Sequence, residues 1–298
     1  MHADIATIES GASRAPGAPS QQAASRRVNL SIADAFELIA KRALVHIRSN
    51  EVAFGASGDS EALHQIRVAL RQLLTALWIF RPVLADNDFS RAIARDLRQL
   101  NEELGAVRDL DVCIAESRAG SKEHSWLTRR RSRLCRIALN EQQSSNRQRV
   151  YSRSIEWMLS REWRSGTWAD SDARSLVTGR LNRLWRKILK FGGKPSKLGR
   201  HRRHRLRIEI KTLRYSLDFL QLPLSPAEID PEQFGPEVQA LQKTLGKLND
   251  LENRRDLRAS AGLRPKRYRG AKRKQARRAK RSLRTLRGIG PCWEDRHV

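Results

Sequence analysis

Apolar residues recur at helical spacing along almost the whole chain. One such pattern runs from Ser31, in a capping position, to about Ala53. Others cover roughly 61–80, 88–117 and 123–160 and, after a polar stretch at 165–172, roughly 173–191, 200–221 and 232–260. No segment sustains the period-two alternation of a half-buried strand. The pattern predicts an all-α protein. Residues 1–27, rich in Ala, Ser, Gly, Pro and Gln, read as a disordered leader.

Comparison of the chain with itself adds an internal repeat. LHQIRVALRQL begins at Leu63 and RHRLRIEIKTLRY at Arg203, which aligns His64, Arg67 and Arg71 with His204, Arg207 and Lys211. Further on, Leu104-Gly105-x-x-Arg108-Asp109 matches Leu245-Gly246-x-x-Asn249-Asp250, at nearly the same distance from the histidine in both copies. Two matched motifs at matched spacing make the chain a duplication, with halves at about 31–160 and 173–262. The fold expected is therefore a pair of internally duplicated helical bundles.

On a helix at ~100° per residue, with His64 as zero, Arg67 and Arg71 fall near ~300° and ~340°, while Ile66, Leu70, Leu73 and Leu77 occupy ~180–240°. In the second copy Arg207 and Lys211 repeat the cationic angles, Arg214 lies near ~280°, and Leu206, Ile210, Leu213 and Leu217 fill the apolar arc. Each helix carries a narrow basic stripe beside a wide apolar one. Like charges three and four residues apart repel by a few tenths of a kcal/mol per pair, so a stripe repeated on two helices points to an anion between them rather than to a solvated face.

Net charge sharpens this reading. The chain carries 59 Lys/Arg against 32 Asp/Glu, a formal +27, which demands an anionic partner or counterions. Between Leu257 and Trp293 there are 14 basic residues and no acidic one, but removing that stretch leaves the remainder at +13. Residues 263–298 read as a solvated, partly helical basic tail or, in the sharper reading, as a second contact for a polyanion or for nucleic acid. Cys113, Cys135 and Cys292 are odd in number and widely spaced, which suits reduced thiols in a cytoplasm and fits no zinc site. No apolar run reaches the length of a membrane span, so no membrane partner is expected.

Within the stripes, His64 and His204 read as phosphate donors whose charge switches near neutral pH, against the alternative of hydrogen-bonded core histidines. Neither copy offers a second ligand at metal spacing; the i, i+3 pair His201/His204 has no first-copy counterpart. Gly105 and Gly246 sit inside helical patterns, where glycine costs roughly 1 kcal/mol relative to alanine, and suggest close helix approach. Asp109 and Asp250 are expected to accept hydrogen bonds from the motif Arg or His and fix their rotamers. Gly105, Asp109, Gly246 and Asp250 are thus structural supports.

At these residues the chain resembles the CHAD family, helical domains named for their histidines, over about 28–262. The resemblance implies two helical bundles around a central basic channel that binds inorganic polyphosphate and, in bacteria, association with polyphosphate granules. Carried over by position, His64, Arg67, Arg71, His204, Arg207, Lys211 and Arg214 would line that channel. Family members often carry two adjacent basic residues where this chain has Arg71-Gln72, and Asn249 stands where the first copy has Arg108. Lys41, Arg48, Arg183 and Lys187 are further basic residues on flanking helices. Some members are fused to a triphosphatase domain marked by Glu-x-Glu-x-Lys; the nearest segment here, Arg207 to Lys211, lacks the first glutamate, so a stand-alone binding module is expected.

The expected function is non-enzymatic polyphosphate binding, without cofactor or metal, on granules in the cytoplasm. One rival is non-specific nucleic-acid binding, but aromatics are only 6% of the chain and none interleaves the motif cations for base stacking. The other is a metal-dependent phosphohydrolase using His64, His204, Asp109 and Asp250, which lacks clustered carboxylates.

Overall fold

A computed structural model describes residues 30–84, 88–191, 198–220, 231–264 and 268–293; the leader expected at 1–27 lies outside them. Among the described residues the regular structure is helical, and the one β pairing is an isolated bridge between Ser31 and Asp172. The first half contains α1 (Ile32–Ser57), α2 (Ser60–Ile79), the single turn α3 (Arg81–Leu84), α4 (Asp88–Ala115), α5 (Lys122–Leu139) and α6 (Glu141–Ser160). After a 3-10 turn at Glu162–Arg164 come α7 (Ala173–Leu189), α8 (Arg200–Leu220), α9 (Pro231–Ser260) and α10 (Arg269–Ile289).

Local chemistry sets the boundaries. Ser31 Oγ accepts the Asp34 amide at 3.1 Å at the start of α1, and Asp59 Oδ1 accepts that of Ala62 at 2.6 Å at the start of α2. Such caps satisfy orphan amides and contribute about 1 kcal/mol each. The single pattern expected over 123–160 is two helices. Asn140, extended at φ −63° and ψ 158°, closes α5 with its backbone and caps α6 through Oδ1, which takes the Gln143 amide at 2.8 Å. Asparagine competes well for a helix start, and here it divides an otherwise continuous apolar periodicity.

One hydrophobic core runs through both halves. In the first, Phe36 packs against Phe80, Trp157 and Trp163 with ring centroids 5.0–5.8 Å apart. In the second, Phe234 lies between Trp185 at 5.6 Å and Trp293 at 5.5 Å. The apolar arcs of the repeated helices are buried: Ile66, Leu70, Leu206, Ile210 and Leu213 are each fully enclosed.

Within the segment 263–298, expected to be a solvated, partly helical tail, residues 269–289 are helical but docked. Residues 269–289 form α10, which packs on α9 and buries Ala276, Ala279, Leu283 and Leu286, while Cys292 and Trp293 behind it join the core. Basic residues dominate its composition, but the few apolar ones fall at helical spacing, and burying that stripe stabilises the helix.

Hydrogen bonds pin the halves together at separate places. Glu123 on α5 receives Arg254 Nε at 2.7 Å and also Arg258, both from α9. Asn253 Nδ2 donates to Asp109 Oδ2 at 3.0 Å. Arg180 of α7 lies 4.2 Å over the Trp78 ring and donates to the Trp78 carbonyl at 2.7 Å. These ties hold α2 and α4 against the helices of the second half.

Candidate anion-binding cavity

Between the halves lies a cavity of about 970 Å³, formed by α2 and α4 on one side and α8 and α9 on the other. Of the seven sequence-derived binding residues, Arg67, Arg71, His204, Arg207 and Lys211 line it together. Gly105 and Asp109 line it as well; Gly246 and Asp250 do not. Arg98, Arg200 and His201 add to its basic wall, and Glu102 and Asp109 are the carboxylates facing it. Six Lys/Arg thus meet two carboxylates around one space.

Two expected residues stand aside. His64 is half-buried outside the lining. Burial first, then the Arg108 guanidinium, hold its pKa below the ordinary histidine value, which favours the neutral ring. Arg214 stacks on its neighbour Tyr215, 4.6 Å from the ring centroid, and it is Tyr215 that reaches the cavity. The two histidines therefore differ: His204 is exposed at the cavity, with Nδ1 3.4 Å from Asn249 Oδ1. Asn249, the departure from Arg108, is itself a lining residue. Lys41, Arg48, Arg183 and Lys187 are absent from the lining; Lys41 pairs with Glu37 at 2.5 Å and Lys187 with Glu209.

Arg67 is the most enclosed cation of the group, 8% exposed. It donates through Nη1 to the Asn101 carbonyl on α4, and its guanidinium lies against Gly105, where a Cβ would stand 2.6 Å from Nη1. The glycine expected to mark helix approach makes room for this arginine head instead. A Cβ at Gly246 would have nothing within 4 Å, so the second copy lacks that arrangement. The aspartates also depart from expectation: Asp109 accepts from Asn253 rather than from a motif arginine or histidine. Asp250 is pushed up by burial, opposed by Arg207.

The matched glycines give a controlled pair of variants. Gly105→Ala should expel the Arg67 head and weaken anion affinity by about tenfold, one charge-assisted hydrogen bond's worth. Gly246→Ala should leave affinity unchanged and stabilise α9 by about 0.5–1 kcal/mol. Equal affinities for the two variants would show that Arg67 needs no such seat.

Electrostatically the cavity is a frustrated cluster. Burial and then the Arg71 charge lower Arg67 to about 10, still cationic at neutral pH. Lys211 falls to about 6, through burial first and then Arg71, Arg207 and Arg67, with Asp109 opposing weakly. Arg207 is lowered by burial, partly offset by Asp250. The Nε atoms of Arg67 and Arg207 are buried without a hydrogen-bond partner. Cations with unsatisfied donors around a shared space are what a multivalent anion would complete.

The lining residues Arg98, Asn101 and Asn253 and the aromatics Trp78 and Tyr215 are not singled out by the sequence. Their only signal is their position on a helix bordering the core; the helix opposite is invisible to a single-helix projection.

Comparison with known proteins adds three findings. The CHAD domain family model matches residues 38–259. The crystal structure of the CHAD domain from the plant Ricinus communis superposes with a TM-score of 0.62 at 23% identity, covering 93% of this chain and 94% of that one. PptA from Streptomyces chartreusis gives 0.58 at 14% identity, over 86% and 98%. No curated protein sequence matches significantly. No helix among the described residues is long and apolar enough to cross a membrane.

Proposed function

The chain belongs to the CHAD family, and from that premise and the cavity's chemistry we propose that it binds inorganic polyphosphate between its two halves without turning it over. The observation that carries the reading is the convergence of Arg67 and Arg71 from one copy with Arg207 and Lys211 from the other on one cavity. A linear phosphate chain cancels their mutual repulsion and supplies acceptors for their free N–H groups. Arginine suits the task because its planar fork meets two phosphate oxygens at once.

Binding without catalysis fits the residues. The cavity offers cations, two histidines, amides, hydroxyls and two carboxylates, and among the described residues no three His, Cys, Asp or Glu side chains gather as a metal site would require. Phosphate release from polyphosphate by purified protein supplied with Mg²⁺ or Mn²⁺ would overturn that part of the reading. Association with cytoplasmic polyphosphate granules is the cellular counterpart proposed.

Titration tests the ligand. Short linear polyphosphate should raise the melting temperature in a saturable way, with affinity falling steeply as salt rises, and should displace bound ligand far better than duplex DNA at equal phosphate concentration. Equal displacement by the two would make the cavity a generic cation cluster.

A further inference from the structure

The outward face of α10 carries charge that neither the fold nor the cavity uses. Arg273, Arg277, Arg281 and Arg284 run along its midline, flanked by Lys274 and Lys280, and all six are exposed. At ~100° per residue they span ~340–100° from Arg273, opposite the buried Ala279, Leu283 and Leu286 at ~220–280°. α10 contains no Asp or Glu. Among the described residues none of the six has an ion-pair partner; the helix's carboxylate contact, Lys272 to Glu252 at 3.4 Å, lies off this face.

Elsewhere exposed arginines do find carboxylates, as Arg161 does with Glu37 at 3.1 Å and Arg153 with Asp96 at 3.4 Å. On α10 the like charges at i, i+4 repel without relief. A groove of about 540 Å³ along this face is lined by Gly270 and five cations and shares no residue with the central cavity. The helix begins after the family match ends at 259.

We propose that this face is a second, independent binding site for a linear phosphate chain. Its chemistry narrows the ligand. α10 has no aromatic residue on which bases could stack. Its exposed face has no large apolar side chain to enter a bilayer; the uncharged residues there are Gly270, Ala271, Thr285 and Gly288. The proposal rests on the polyphosphate reading of the cavity in one respect. A cavity of about 970 Å³ encloses only a segment of a long polymer, and the emerging remainder, or a neighbouring chain, is held near α10 at high effective concentration. One molecule would then grip polyphosphate at two places and bridge chains.

The test uses the full chain with Arg273, Arg277, Arg281 and Arg284 all changed to Gln, and a companion with the same four changed to Lys. The positions are exposed, so helical content should match wild type, which circular dichroism checks. The Gln variant should bind short polyphosphate normally, lose at least tenfold in affinity for long chains, and show a log K against log salt slope shallower by roughly 3, as expected for four lost contacts. The Lys variant should restore most of both. Long-chain affinity and slope equal to wild type in the Gln variant overturn the proposal. Loss confined to duplex DNA, with long-chain polyphosphate binding intact, also overturns it and assigns the face to nucleic acid. A Gln variant that loses long-chain binding, beside a double variant Arg71→Glu, Lys211→Glu in the cavity that still binds short chains, would keep this site and sink the cavity reading instead.

Discussion

Reversing Arg71 and Lys211 to glutamate together should abolish measurable binding of short polyphosphate, a loss on the order of 10²–10⁴-fold, and leave the helical fold in place. The magnitude follows from two charge-assisted contacts at about 1.5–3 kcal/mol each, before counting the repulsion that the new carboxylates add. The choice of residues follows from burial. Arg67 is enclosed and bonded to α4, so a glutamate there would strand a buried charge. Arg71 and Lys211 are half-buried, one on each copy, and face the cavity. Removing the Arg71 charge relieves its repulsion with Arg67 and Arg207, which offsets part of the cost of a carboxylate at the desolvated Lys211 position, and circular dichroism checks that the variant is folded. Arg42→Glu with Arg48→Glu on the exposed surface of α1 makes the same change in net charge, and should cost affinity only a few-fold. Equal losses in the two double variants would mean that bulk charge, not the cavity, attracts the ligand.

The second large effect is a proton. Lys211 has a folded-state pKa of about 6 against an ordinary 10.5, so between those values the unfolded chain holds a proton that the free folded protein does not. Stability of the free protein therefore rises with pH across that window as far as this group is concerned, and its contribution is smallest below about pH 6. A phosphate chain beside Lys211 reverses the bias and restores the ammonium, so binding takes up about one proton at pH 8. Affinity should fall by up to about tenfold per pH unit between pH 7.5 and 9, above the range where histidines titrate. Calorimetry in buffers of different ionisation enthalpy reads the uptake directly. Lys211→Arg should remove it while keeping binding, and Lys211→Met should raise the free protein's melting temperature, by roughly 2–4 °C per kcal/mol recovered. Wild-type binding without proton uptake would mean that the Lys211 amine stays clear of the ligand.

Much of this is legible in the residues, and what is not has physical causes. The apolar arcs of α2 and α8 and the matched motifs locate two equivalent helices, because burial is periodic and duplication leaves a fixed interval. Helical projection also places Arg67, Arg71, Arg207 and Lys211 on one edge, and those four do meet. It does not say which helix stands opposite, so the contributions of Arg98, Asn253, Trp78 and Tyr215 to the cavity stay hidden. His64 and His204 have the same angle but different neighbours: Arg108 stands by one and Asn249 by the other. Gly105 suggests helix approach in the sequence, whereas its close neighbour is a guanidinium. At 263–298 the dense charge masks a sparse apolar stripe, although that stripe alone decides whether the helix docks.

A crystal structure with a short linear polyphosphate tests the location of the site most directly. Phosphate density should stand between α2 and α8, within hydrogen-bond distance of Arg71, Arg207 and Lys211. An occupied ligand elsewhere on the surface, with that cavity holding only solvent, would contradict the binding site assigned to it.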